Sequence, residues 1–199
     1  MSGDLGTEVV VRAASATLDK YTSIELKIVG DQVELQDLVT QIIGEDSRIQ
    51  IVHASEVVQM SEPPVDVLRK KKDSSMRVAI NLVKDGSADA CVSSGNTGAL
   101  MATAKFVLKT LPGIDRPAFI TELPAKGGSL HMLDLGANTQ ASADQLFQYA
   151  MMGSIVSSDI AGIDRPRIAL LNIGEEDIKG NDTIREAAAL LKESTLNYV

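Results

Sequence analysis

Residues 88–105 restrict the possible folds of this chain more than any other stretch. An apolar run, residues 88–92, leads into Ser93-Ser94-Gly95-Asn96-Thr97-Gly98 and then into a helical pattern from Ala99 onward. A strand that breaks at glycines and continues as a helix leaves backbone N–H groups free at the helix N-terminus, where the helix dipole favours an anion. The stretch therefore predicts either a phosphate or oxyanion site or a tight strand–helix turn without a ligand.

Strand and helix patterns alternate along the rest of the chain. Strands are predicted over residues 24–29, 49–52, 118–121, 130–134 and 167–173, and helices over residues 9–20, 33–43, 75–84, 139–157 and 184–191, the last with a capping box at Thr183 and Glu186. A hairpin-like turn is predicted at residues 126–128. This alternation predicts one α/β domain over residues 1–199 with a mostly parallel, Rossmann-like sheet that is covered on both faces.

Four loops that pair glycine with Asp or Asn follow predicted strands or open the chain. They are residues 3–4, 95–98, 134–138 and 172–176. Because ligands of parallel sheets bind at the C-terminal strand edge, several such loops favour the anion site over the simple turn. No Lys-Ser or Lys-Thr follows Gly98, so this is not a Walker A loop, and the absence of a G-x-G-x-x-G fingerprint disfavours a dehydrogenase.

Composition narrows the possible partners. A formal net charge of -8 and only 3% aromatic residues argue against nucleic acid as a partner. One cysteine forms no internal disulfide, which predicts a reducing cytoplasm, and no apolar run has the length of a membrane span. No spacing of His, Cys or Asp is typical of a metal site, and no cofactor is predicted.

Three residues with reactive side chains receive structural roles. Cys91 lies within the apolar run and is predicted to be a buried core residue rather than an acyl-enzyme nucleophile. His53 could act as a base, but it has no partner in the sequence, which favours a structural loop histidine. His131 alternates with apolar strand residues and is predicted to pack or to lie at the surface.

Six short segments, in this order, resemble the PlsX family of bacterial phosphate acyltransferases. They are residues 1–4, 53–58, 69–76, 94–99, 134–138 and 172–176 with Lys179-Gly180. The resemblance implies a three-layer α/β/α sandwich, similar to phosphotransacetylases and isocitrate-dehydrogenase-like enzymes. It also implies transfer of a long acyl group from acyl carrier protein to inorganic phosphate, and the acyl phosphate feeds phospholipid synthesis. Homodimers in the cytoplasm with peripheral membrane contact are implied as well.

The chain departs from the family pattern at both ends. The family begins with a strand before its first glycine motif, whereas this chain begins inside that motif and carries Ser2 at the first glycine position. The family also continues well beyond Val199, with membrane-contacting and dimer-forming parts. We therefore expect a fragment of the family protein, with a sheet edge exposed by the missing strand.

The implied reaction asks little of side chains, because phosphate is already a nucleophile and a thioester is already activated. Positioning and stabilisation of the tetrahedral oxyanion are what an enzyme adds. We assign catalytic roles to Asn96, Thr97, Asn138 and Lys179, and phosphate or substrate binding to Asp4, Ser94, Gly95, Gly98, Asp134, Gly136, Gly174 and Glu176. A solvated lysine is an equal alternative for Lys179, and for Asp134 a loop-holding role through backbone N–H groups is favoured.

The dense basic run consists of Arg69, Lys70, Lys71 and Lys72. Such a run is usually a solvated helix face, but on an acidic enzyme it could dock the acidic acyl carrier protein, and we predict that role. Two other functions stay open. One is a short-chain phosphotransacetylase that uses coenzyme A, and the other is a phosphate-binding regulatory module without catalysis.

Overall fold

The structure is a computed structural model that describes residues 3, 5–138, 140–174 and 179–199. Its contacts divide the chain into two compact units, Met1–Lys109 and Thr110–Val199. These are the N-terminal unit and the C-terminal unit. The single domain predicted from the sequence stays a prediction.

The N-terminal unit contains five helices and two strands among its described residues. They are α1 (Gly6–Lys20), β1 (Leu26–Gly30), α2 (Gln32–Ile42), β2 (Ile49–His53), α3 (Pro64–Lys70), α4 (Ser75–Lys84) and α5 (Thr97–Leu108). Strands β1 and β2 pair in parallel, with Leu26 opposite Ile49 and Gly30 opposite His53. The predicted α/β class with a parallel sheet is therefore confirmed.

Two apolar clusters hold the N-terminal unit together. In the first, Leu35 and Val39 lie one helical turn apart on α2 and pack with Val11 of α1 and Ile28 of β1. The second cluster joins α3, α4 and α5 through Val67, Met76, Ile80, Ala99 and Val107, together with Val58. The second cluster fixes the start of α5, where the glycine-rich loop ends.

The C-terminal unit combines a hairpin with two helices. Strands β3 (Ile120–Ala125) and β4 (Gly128–Leu133) pair antiparallel across the predicted turn, and helices α6 (Ala143–Ala161) and α7 (Asp182–Glu193) follow. Helix α6 begins with a capping box in which Ser142 and Gln145 exchange hydrogen bonds. In the part of the chain that the structure describes, no helix is long and apolar enough to cross a membrane.

Three local predictions are wrong. Residues 88–92 form no strand, and Val92 is 98% exposed, because no described strand pairs with this run to bond its backbone groups. Residues 167–173 form only an isolated bridge between Ile168 and Tyr198. Helix α7 is capped by Asn181, whose side chain accepts from the Ile184 N–H, so the box predicted at Thr183 is not used.

Candidate functional site

The start of α5 is organised by Asn96. This residue is the N-cap, its Oδ1 accepts the Ala99 N–H at 3.0 Å, and its carbonyl accepts the Leu100 N–H at 2.9 Å. An N-cap side chain satisfies one of the N–H groups that a helix start leaves without partners. The cap therefore ends the loop and fixes the direction in which the helix points.

The amide nitrogen of Asn96 gathers backbone carbonyls from a segment distant in sequence. Nδ2 lies 3.2 Å from the Gln59 carbonyl oxygen, 3.0 Å from that of Met60 and 2.9 Å from that of Glu62. The residue is only 8% exposed. These contacts make Asn96 a positioning residue that ties the glycine-rich loop to residues 59–62. Its predicted direct contact with an oxyanion stays a prediction, and its side-chain donors are already engaged.

Two backbone donors remain at the start of α5. Among the described residues, the N–H groups of Thr97 and Gly98 have no acceptor, while the next two are bonded to Asn96. Their alignment with the helix dipole favours an anion. A Cβ at Gly98 would lie 3.2 Å from Pro64 Cγ, so a side chain here would crowd the approach to these donors.

The other predicted residues of this loop lie nearby. Ser94 is exposed, and the Gly95 N–H donates to Ser93 Oγ at 3.2 Å. A Cβ built on Gly3 would lie 2.8 Å from Ser94 Oγ, so the structure brings Gly3 against this loop. Asp4, which was predicted to bind substrate, lies outside the described residues.

Lys71 also contacts the segment around residues 57–62 that Asn96 bonds to. Its Nζ donates to the Val57 carbonyl at 2.6 Å and lies 3.2 Å from a Glu62 carboxylate oxygen. The Gln59 N–H and then Lys71 hold the pKa of the Glu62 carboxyl below its ordinary value. A further carboxylate, Asp73, accepts from the Ser55 N–H at 2.9 Å and from its hydroxyl at 2.5 Å.

The basic run is thus not one solvated face. Lys71 is half-buried, and its Nζ already has two intramolecular partners. The docking role predicted for the run stays a prediction. Lys70 pairs with Asp66 at 3.3 Å on the helix surface. Arg69 and Lys72 are exposed.

The loop at residues 134–138 in the C-terminal unit has a carboxylate at its centre. Oδ1 of Asp134 accepts the Phe119 N–H at 2.8 Å and the Ala137 N–H at 3.3 Å, and Oδ2 accepts the Asn138 N–H at 2.7 Å. The side-chain amide of Asn138 donates to the same oxygen at 3.0 Å and to the Pro117 carbonyl at 3.2 Å. Asp134 therefore makes the loop-holding contacts that the sequence favoured, and the donors of Asn138 are engaged within the loop.

The remaining predicted residues of the C-terminal unit lie near Asn172. Its amide donates to the Lys179 carbonyl at 3.2 Å, which ties the two ends of residues 172–179 together, and the Lys179 side chain is exposed. A Cβ at Gly180, where φ is +89°, would lie 2.7 Å from Asn172 Oδ1. Gly174 is half-buried, and Glu176 lies outside the described residues.

The reactive side chains take structural positions. His53 Nδ1 accepts the Gln32 N–H at 3.3 Å, and His131 Nδ1 lies 2.8 Å from Ser157 Oγ. Cys91 is exposed rather than buried, so the prediction of a core residue is wrong, and desolvation raises the pKa of its thiol, which disfavours the nucleophilic thiolate. No three His, Cys, Asp or Glu side chains converge as metal ligands within the described ranges.

Several contributors were not predicted from the sequence. The bonds of Asn96 to residues 59–62 and of Asp73 to Ser55 join residues that are 18 to 37 positions apart, and no local pattern marks them. Pro63-Pro64 indicated only a loop, although α3 begins there and Pro64 faces Gly98. The N-cap preference of asparagine was the one usable signal at Asn96.

A solved structure shows the same fold. The EutD phosphotransacetylase from Staphylococcus aureus superposes with a TM-score of 0.65 and 19% sequence identity, over 96% of this chain and 63% of that one. At this identity the likeness concerns the fold alone. The molecule therefore has a Rossmann-like α/β fold, with candidate anion-binding donors where a glycine-rich loop leads into α5.

The sequence profile of the fatty acid synthesis protein family matches residues 1–199, and the chain belongs to that family. A relative from Alkalilimnicola ehrlichii is 55% identical over 200 residues, and one from Nitrosococcus oceani is 56% identical; both are named phosphate acyltransferase. All of this chain is matched in both comparisons, but it spans only 58% and 59% of the lengths of these relatives.

Proposed function

We propose that this chain is the part of a phosphate acyltransferase that binds phosphate at the start of α5. A phosphate oxygen attacks the carbonyl carbon of an acyl thioester, the C–S bond breaks, and acyl phosphate and a free thiol result. The observation that carries the proposal is the pair of N–H groups of Thr97 and Gly98, which have no acceptor among the described residues and lie at the dipole end of a helix capped by Asn96. The names of the two relatives support the reaction class.

The arrangement suits a dianion that already is a nucleophile. The available groups at the start of α5 are neutral donors, which attract phosphate without demanding a proton transfer. Asn96 contributes by fixing these donors in place before the substrate arrives, and such preorganisation lowers the barrier without reorganisation during the reaction. Lys179, whose side chain is exposed, is a further donor that the family resemblance assigns, whereas the amide of Asn138 is already bonded within its own loop.

The finer assignments rest on the family. We propose long-chain acyl-[acyl carrier protein] as donor, because the family name refers to fatty acid synthesis. Acyl phosphate would then serve phospholipid synthesis. Homodimer formation, a cytoplasmic location and peripheral membrane contact belong to the same proposal.

A single-donor deletion tests the phosphate site. Thr97 is the first residue of α5, a position where proline keeps the helix while removing its N–H, and the extended ψ of 108° at Asn96 accepts a following proline. We expect Thr97→Pro to lower the rate of acyl phosphate formation by about 10²-fold, the loss typical of one oxyanion donor. Acyl phosphate is trapped with hydroxylamine, with and without inorganic phosphate.

Two control variants isolate the N–H group. Thr97→Ala removes only the hydroxyl, and Ala143→Pro places proline at the first position of α6 behind the extended Ser142. Both should keep most of the activity. Phosphate-dependent product from acetyl-coenzyme A but not from a long-chain acyl carrier protein would indicate a short-chain phosphotransacetylase instead. Phosphate binding without product from either donor would indicate a binding module.

A further inference from the structure

Helices α4 and α5 have a charge distribution opposite to that of the whole chain. The chain has 27 acidic and 19 basic residues, yet these two helices contain Arg77, Lys84 and Lys105 and no Asp or Glu. Lys109 follows directly as the C-cap residue of α5. The helix pair is therefore a basic region on an acidic protein, and it lies outside the run at residues 69–72.

An exposed apolar centre lies within this basic region. Phe106 is 55% exposed and Leu108 is 42% exposed at the end of α5. The Arg77 Cζ lies 5.2 Å from the centroid of the Phe106 ring, and Lys109 Nζ lies 5.0 Å from it. An aromatic ring flanked by two cations is a typical anchor of protein interfaces, where aromatic and arginine side chains carry most of the binding energy.

The backbone of Lys109 is held in an unusual conformation. Its φ of 71° and ψ of -172° fall in a region that is essentially restricted to glycine. A glycine would be the favoured residue at such a helix end. The lysine thus places its ammonium group over Phe106 at a cost in backbone strain. Because this strain lowers the stability of the fold, it points to a role of the Lys109 cation in binding.

We propose that Arg77, Phe106, Leu108 and Lys109, here called the Phe106 surface, dock the acidic carrier protein that presents the acyl thioester. This inference rests on the proposed function for the nature of the carrier. Charge complementarity favours an acidic protein, in which carboxylates would meet the two cations and an apolar side chain would meet the ring. Binding of an anionic membrane through the same two cations is the alternative that the experiment below tests.

The chain provides a matched control for a binding experiment. Lys20 Nζ lies 5.1 Å from the ring centroid of Tyr21, which is 46% exposed, so this pair reproduces the chemistry at the end of α1. We compare the double variant Phe106→Ala with Lys109→Glu against Tyr21→Ala with Lys20→Glu. The probe is fluorescently labelled acyl carrier protein, titrated with the full chain and followed by anisotropy at two salt concentrations.

We expect the Phe106 surface variant to bind the carrier at least about tenfold more weakly, with a smaller salt dependence, as for the loss of an interface hot spot. The control variant should bind within about twofold of the unmodified chain. A second variant, Lys109→Gly, separates docking from folding. It should raise the melting temperature by about 2–4 °C, because glycine relieves the strain, and still weaken carrier binding.

Three outcomes would overturn the docking proposal. They are unchanged carrier binding in the surface variant, equal losses in both double variants, and binding of phosphatidylglycerol vesicles through this surface in place of the carrier. Phosphate-dependent turnover of acyl-coenzyme A tests the proposed function separately. Carrier binding through the Phe106 surface without any turnover would support the docking proposal and contradict the proposed acyltransferase activity of this chain.

Discussion

Residues 95–98 and residues 134–138 are both glycine-containing loops with an asparagine, but side chains of opposite polarity organise them. In the N-terminal unit the Asn96 amide donates to three carbonyls of residues 59–62 and accepts one N–H. In the C-terminal unit the Asp134 carboxylate accepts three backbone N–H groups and the Asn138 amide. Asn96 therefore occupies backbone carbonyl acceptors, whereas Asp134 occupies backbone N–H donors.

This difference decides which loop is suited to bind an anion. The carbonyls around Asn96 are turned into the protein, and the N–H groups of Thr97 and Gly98 remain for a ligand. The donors around Asp134 are already bonded to a negative charge, which would also repel a phosphate. Similar sequences of glycine, asparagine and small residues can therefore build either a ligand site or a support for neighbouring strands.

The largest loss of stability is expected when the side chain of Asn96 is removed. Asn96→Ala deletes one capping bond and leaves the carbonyls of residues 59, 60 and 62 without their shared donor. We expect a loss of about 3 kcal/mol in the free energy of unfolding, at about 1 kcal/mol for the capping bond and for each of the two amide N–H groups. Urea unfolding followed by circular dichroism measures it.

The control for this variant is an ordinary cap. Asp31 caps α2 by accepting the Val33 and Glu34 N–H groups and gathers no distant carbonyls, so Asp31→Ala should cost about 1 kcal/mol. The excess for Asn96 measures its long-range contacts. Equal losses in the two variants would mean that Asn96 is only a cap, and the contrast with Asp134 would then disappear.

Much of the secondary structure follows from local sequence patterns. The helix at residues 75–84 was predicted, with Ser74 or Ser75 as its cap, and the structure has α4 over Ser75–Lys84 with Ser74 as the N-cap. The hairpin turn was predicted from Lys126-Gly127-Gly128, and β3 and β4 pair across it. The strands predicted at residues 88–92 and 167–173 are not formed. An apolar run becomes a strand only where a partner strand bonds it, and local sequence does not specify that partner.

The candidate site shows a similar limit. Glycine-rich loops at helix starts could be recognised from residue types, and the loop before α5 was found that way. The sequence did not reveal that Lys71 is turned inward to Val57 and Glu62, because four consecutive cations look alike until a fold assigns them to faces. Long-range contacts such as those of Asn96 depend on tertiary packing.

The glycines of the two loops should differ in a way that sharpens the comparison. Gly136 has a φ of +89° and open space around a built Cβ, so Gly136→Ala should lower the free energy of unfolding by about 1–2 kcal/mol through backbone strain alone. Gly98 is helical, and Gly98→Ala should change stability by less than about 0.5 kcal/mol. The added methyl group, 3.2 Å from Pro64, should instead raise the KM for phosphate by about tenfold through crowding of the donors.

Unfolding curves and phosphate kinetics of the two glycine variants are measured together. A KM for phosphate that stays unchanged in Gly98→Ala would indicate that the start of α5 does not hold the ligand. A loss of stability in that variant as large as in Gly136→Ala would show that both glycines serve the backbone. Either result would remove the functional distinction between the loops.

The smallest change in stability is expected at Asp73, a carboxylate of the N-terminal unit that accepts two hydrogen bonds from Ser55. The hydroxyl and then the N–H of Ser55 hold the pKa of the Asp73 carboxyl below its ordinary value. A depressed pKa in the folded state contributes stability above the unfolded pKa of about 3.9, and this contribution is lost as the pH falls through the folded value. Ser55→Ala should therefore be less stable than the unmodified chain at pH 7, and the difference should shrink below about pH 4.

Ser93→Ala is the matched control, because Ser93 Oγ accepts the Gly95 N–H and bonds no carboxylate in the described part of the chain, so its stability difference should not depend on pH. Urea unfolding at a series of pH values compares the variants. A constant gap for Ser55→Ala would mean that the hydroxyl stabilises Asp73 equally in both protonation states. A shrinking gap would instead show that Ser55 stabilises the charged form of the Asp73 carboxyl.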